Sequence, residues 1–136
     1  MCIDIIDGIS AALNAYFGDE YRIYAEPLEQ GLSLPCFFVN HEDTVKKKML
    51  GDRFIAHYSF DVSYYPKNSK LEMLETAEKL YECLNIIELA GGDLVRGRSM
   101  RYTISNGILH FYVSFSLILE TEAEHDYMGA FNYRLV

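Results

Sequence analysis

The chain has 136 residues, half of them apolar, with eleven Tyr and eight Phe but no Trp. That is enough for one domain with a real core and excludes wholesale disorder. Twelve basic against twenty acidic residues leave a net charge of −8, which argues against general binding to phosphate backbones.

Residues 3–17 predict an amphipathic helix, because Ile5, Ile6, Ile9, Ala12, Leu13, Tyr16 and Phe17 recur at spacings of three and four. Asp4 and Asp7 suit the helix dipole in its first turns, and Gly18 is a stop. Residues 21–25 predict a short strand. Pro27 and Pro35 bracket residues 26–35 and disfavour a regular ladder there, so that stretch reads as a loop. Residues 36–40 predict a buried strand. Residues 46–51 predict an exposed turn or mobile loop carrying Lys46, Lys47 and Lys48.

Residues 54–65 predict a long strand, with Phe54, Ala56, Tyr58, Phe60, Val62 and Tyr64 on one face and His57, Ser59, Asp61 and Ser63 on the other. Pro66 ends it. Ser69 followed by Glu72 is a capping-box pattern, opening a helix to about residue 85. Its inner face is Met73, Leu74, Ala77, Leu80, Tyr81 and Leu84. A short apolar piece at 86–89, a turn at Gly91-Gly92 and a short strand at 93–96 follow.

Residues 98–121 hold the strongest local signal. Asn106-Gly107 suits a two-residue type I′ turn, since both residues tolerate positive φ. That turn pairs Ser105 with Ile108, Ile104 with Leu109, Tyr102 with Phe111 and Met100 with Val113, apolar against apolar on one face. A one-residue slip would set apolar residues against His110, Tyr112 and Ser114, so turn and pattern agree on one register.

Residues 123–136 are unusually apolar for a tail, with Tyr127, Met128, Phe131, Tyr133, Leu135 and Val136. Either they fold back on the chain's own sheet, or they form an aromatic docking arm for a neighbouring copy or another protein. The order of elements implies an α+β fold: one domain over residues 1–122, mainly antiparallel sheet with two amphipathic helices packed on one face, and the tail beyond it.

The chemistry expected is sparse. His41, His57, His110 and His125 lack metal-ligand spacing. His57 and His110 fall on the polar faces of two strands, where they are either neighbours across the sheet or simply exposed strand residues. Gly97-Arg98-Ser99 lacks the second glycine of a nucleophile elbow. Glu72, Glu75, Glu78 and Glu82, with Lys79 among them, read as a solvated helix face, and Cys36 reads as core. No catalytic, metal or cofactor site is expected. Three distant cysteines read as free thiols in a reducing cytoplasm. Asp4 and Asp7 stand where an export signal needs basic residues, and no apolar run is long enough to cross a membrane.

Charge is segregated. Lys46, Lys47 and Lys48 form one basic group and Arg96, Arg98 and Arg101 another, while Glu120, Glu122, Glu124 and Asp126 form an acidic segment. Solvated surface is the plain reading, and the arginines could pair with the acidic tail of their own chain. The sharper reading makes these residues, with Tyr127, Phe131 and Tyr133, a contact surface between copies.

The stretch Glu29-Gln30-Gly31-Leu32-x-x-Pro35-Cys36-Phe37-Phe38-Val39 resembles the corresponding segment of the phage tail terminator family, small tail proteins of Firmicutes phages and prophages. Phe60-Asp61-Val62-x-Tyr64-Tyr65-Pro66-Lys67, Ala77-Glu78-Lys79-Leu80-Tyr81, Leu94-Val95-Arg96-Gly97 and Gly107-Ile108-Leu109-His110-Phe111 follow in the family's order. The resemblance spans roughly residues 1–120. It implies an α+β subunit without enzymatic activity that forms a ring, usually sixfold, on the head-proximal end of the tail tube. The implied partners are further copies of the chain, the tail-tube protein and the head connector, with no membrane and no direct nucleic-acid contact. The implied location is the host cytoplasm during assembly and then the virion tail. Competing readings are a head-completion or neck adaptor, a nucleic-acid module stacking bases on its tyrosines, and a small enzyme with an unrecognised site.

Overall fold

A computed structural model describes residues 1–25, 33–121 and 131–135. The elements are α1 (Cys2–Phe17), β1 (Arg22–Tyr24), β2 (Cys36–Lys48), β3 (Arg53–Tyr65), α2 (Lys70–Cys83), β4 (Ile86–Glu88), β5 (Leu94–Arg96), β6 (Arg98–Ser105), β7 (Ile108–Thr121) and β8 (Phe131–Leu135). Most of the expected loop at 26–35 lies outside the described residues.

Both helices form where the periodicity places them. In α1, Ile5, Ile9 and Leu13 are fully buried while Ile3 faces out. Gly18 ends it at φ 89°, its N–H donating to the Asn14 carbonyl. In α2 the Ser69 hydroxyl accepts from the Glu72 N–H at 3.4 Å. The Glu72 carboxylate reaches back past Ser69 to accept from the N–H groups of Lys67 and Asn68 at 2.9 and 3.1 Å. Met73, Ala77, Leu80 and Leu84 enter the core, as do Thr76 and Cys83, which the apolar periodicity does not single out.

The main sheet runs β1-β2-β3-β7-β6, with β8 also on β7, and β4-β5 form a separate small hairpin. All its pairs are antiparallel except β1 with β2, which is parallel. The fold is therefore α+β with a mainly antiparallel sheet, as expected. The core lies between the helices and one face of β3 and β7, where Phe60, Tyr64, Phe111 and Phe115 are fully buried.

The β6–β7 hairpin takes the predicted turn, with Asn106 at φ 54° and Gly107 at φ 74°. Its register holds from Ser105 opposite Ile108 to Tyr102 opposite Phe111. Beyond Arg101 the pairing shifts by one, so Ser99 and Met100 together stand against Val113 instead of Met100 pairing with it alone. Ser99 at φ 54° makes this bulge.

Two expectations need correction. Lys46, Lys47 and Lys48 are not in a loop: β2 runs on through them, opposite Ala56, Ile55 and Phe54. Ladder bonds from β3 hold the backbone while the ammonium groups stay in water, which a strand on a sheet's flank allows. His57 and His110 are not neighbours. His57 stands opposite Ser116 and His110 opposite Ser63, six residues apart along the strands, or roughly 20 Å.

The tail segment 131–135 joins the chain's own sheet, Thr121 opposite Phe131 through Leu117 opposite Leu135. Gly97 sits where no side chain fits: a Cβ there would lie 2.2 Å from the Leu84 carbonyl oxygen and 3.1 Å from the Val113 side chain. Its own N–H donates to the Asn85 carbonyl, fixing the passage from β5 to β6 under the end of α2.

Candidate subunit interface

Pairing decides which backbone is free to meet another molecule. β7 is bonded on both sides, to β3 along one and to β6 then β8 along the other. β2 is covered by β1 only from Cys36 to Phe38, so its outer edge from Val39 to Lys48 has no ladder partner among the described residues. The outer edge of β6 has none either. Each of these flank strands carries one bulge, between His41 and Asp43 in β2 and between Arg98 and Arg101 in β6.

The charged groups picked out in the sequence fall at distinct places. Lys46, Lys47 and Lys48 are exposed at the end of β2, and their side chains make no hydrogen bond or ion pair among the described residues. Cross-strand partners share a face, so Lys46 and Lys48 lie on the helix side of the sheet and Lys47 on the open side. Glu120 stands opposite Arg53 at the end of β7, one residue beyond the level that joins Lys48, Phe54 and Leu119. The lysines and the start of the acidic segment thus share one end of the sheet, two strand spacings apart.

Arg96 ends β5 opposite Ile86, while Arg98 and Arg101 lie on β6, the other flank. The Arg101 guanidinium stacks 4.0 Å above the Tyr112 ring centroid. Glu122, Glu124, Asp126 and Tyr127 lie outside the described residues. Phe131 and Tyr133 are on β8, opposite Thr121 and Leu119.

The open face of the sheet is polar and laterally bonded. His57 Nδ1 meets Ser116 Oγ, and Ser59 meets Ser114 at 3.1 Å. Asp61, Ser63 and His110 form a closed group: His110 Nδ1 is 2.9 Å from Asp61 Oδ2, and the Ser63 hydroxyl donates to Asp61 Oδ1 at 3.1 Å. A nucleophilic relay needs the imidazole between carboxylate and hydroxyl, one on each nitrogen. Here both partners meet Nδ1, and Ser63 is buried. The group ties β3 to β7 rather than activating an oxygen.

The remaining reactive groups point the same way. Burial pushes the Cys83 thiol up to about 12, and its Sγ–H reaches the Ala12 carbonyl at 3.4 Å. Burial also raises the Cys36 thiol, so neither is an activated nucleophile. Partial burial opposes charge on Glu72, but the Tyr64 hydroxyl, the Lys67 and Asn68 N–H groups and the Lys67 ammonium outweigh it and hold the carboxyl below its usual range. Among the described residues no three His, Cys, Asp or Glu converge to hold a metal. No helix among them is long and apolar enough to cross a membrane.

A family model described as phage tail terminator protein matches residues 4–127. The chain belongs to the phage tail terminator family. The match runs a little beyond the stretch that the sequence motifs cover and stops short of β8, so the last strand lies outside the matched part. Membership makes the chain a phage tail structural protein. No curated protein sequence matches it. One solved structure, a chain without a functional name, shares 15% identity over 81% of this chain and 92% of its own, with a TM-score of 0.40. At that level it carries no argument.

Sequence reasoning missed the Asp61–Ser63–His110 group and the two level bulges. Its polar residues were visible, but their grouping depends on β3 pairing with β7, strands that no short turn connects.

Proposed function

We propose that the protein forms a ring on the head-proximal end of the tail tube, stops tube polymerisation there and joins the tail to the head connector. The family match over residues 4–127 carries this reading. On this reading the protein works in the host cytoplasm during assembly and in the virion tail afterwards, by contact rather than catalysis.

The geometry is of the kind a ring needs. Closure by rotation requires one patch to meet a different patch on the next copy. Two strands differ in charge at the same end of the sheet: β2 ends in three lysines whose side chains have no partner among the described residues, whereas β7 ends in Glu120, where the acidic segment of the sequence begins. Of the two basic groups, the lysines suit that segment in a neighbouring copy. Arg98 and Arg101 lie on β6, toward the other end of β7 from Glu120.

The test is to add the protein to its own phage's tail-tube subunit during polymerisation and follow light scattering. Elongation is expected to stall at protein amounts far below the tube subunit. Lys46→Glu, Lys47→Glu and Lys48→Glu together should weaken the stall while the unfolding midpoint stays close to wild type. Elongation that proceeds unchanged with the wild-type protein would refute the terminator role.

A further inference from the structure

The register of the whole sheet fixes which residues of its two flanks stand at the same level. Arg98 pairs with Ser114, Ser114 with Ser59, and Ser59 with Asp43. Arg101 pairs with Tyr112, Tyr112 with Asp61, and Asp61 with Asn40. Arg98 and Asp43 therefore mark the same height on opposite edges of one sheet, and so do Arg101 and Asn40.

The bulges make this more than a coincidence of two residues. Residues 98 and 101 are an odd number apart and would point to opposite faces of a regular strand. The extra residue at Ser99–Met100 turns both arginines to the open face, the face of Ser114 and Tyr112. On the other flank, the extra residue between His41 and Asp43 sets Asn40 and Asp43 both on that face. Both bulges sit at the level where Phe60 pairs with Val113. Glu42 and Asp43 are exposed there and make no hydrogen bond or ion pair among the described residues.

We infer that the β6 edge of one copy meets the β2 edge of the next, with Arg98 and Arg101 against Glu42 and Asp43 and the two bulges level. β2 and β7 run one way and β3 and β6 the other, so rotation about an axis along the strands brings β6 beside β2 in an antiparallel pair. The contact commits to a second copy because the exposed acids of one flank and the arginines of the other are complementary in charge and stand at matching height. At the far end of the strands the second flank is β8 rather than β6, so the arginine–acid match is confined to the level of the bulges.

This inference rests on the ring reading, and one experiment separates the two. Asp43→Arg, Arg98→Glu and the double variant are each tested for retention on sedimented tail tubes, with thermal unfolding as the fold control. Each single reversal is expected to lower retention about tenfold with little change in midpoint, because both side chains are exposed, and the double variant should recover most of it. Wild-type retention with indifferent single variants, or a double variant no better than the sum of its parts, would overturn the edge contact and leave the ring reading standing. A wild-type protein that neither binds tubes nor self-associates would overturn both.

Discussion

The two faces of the β3–β7 pair are built from alternate residues of the same strands, yet they do different work. On one face Phe60, Val62, Phe111, Val113 and Phe115 are buried under the helices. On the other, Ser59, Asp61, Ser63, His110 and Ser114 bond to one another across the ladder. The first face stabilises the subunit by removing large apolar side chains from water. The second is kept polar, and its short side chains are satisfied by their neighbours, so it gains little by being covered. Stability sits on one side of the sheet, while exposed charge and, among the described residues, strand edges without a ladder partner sit on its flanks.

That contrast can be broken at several points. Phe111→Ala should cost about 3–5 kcal/mol, seen as a lower denaturant midpoint, because a fully buried ring leaves a cavity against α2 and β6. Gly97→Ala should cost about 1–3 kcal/mol, because its methyl group meets the Leu84 carbonyl and backbone must move. Glu72→Gln should have a smaller, pH-dependent effect. The folded carboxyl titrates below its unfolded value, so its contribution is complete above the unfolded pKa of about 4.3 and fades as pH falls through the folded one. The variant should be less stable than wild type at pH 7, and the gap should close in acid. Smallest of all, Ser59→Ala on the open face should stay within about 0.5 kcal/mol. A large loss there would mean that the polar ladder holds the fold together and that the two faces are not divided in this way.

The sequence was most legible where the signal is local. Asn106-Gly107 specifies both a turn and the register beside it, and Ser69 with Glu72 marks a helix start within four residues. Legibility fell with sequence separation. His110 and Asp61 meet across 49 residues, and only the burial of whole strand faces decides that pairing. The three lysines misled for a different reason: lysine is depleted in strands on average, but a flank strand bonded on one side accommodates it. The parallel β1 was hidden because three residues carry too little pattern to fix a direction. As for the interface, its residue types were visible as charge clusters, but the acidic pair Glu42 and Asp43 became a candidate only once register put it level with Arg98.

We propose that these flanks close a ring on the end of a tail tube. Negative-stain electron microscopy of the protein mixed with polymerising tail-tube subunits tests it most directly. The expected result is tubes of limited length with a ring of added density at one end only. Long tubes with bare ends, at protein in excess over ends, would contradict it.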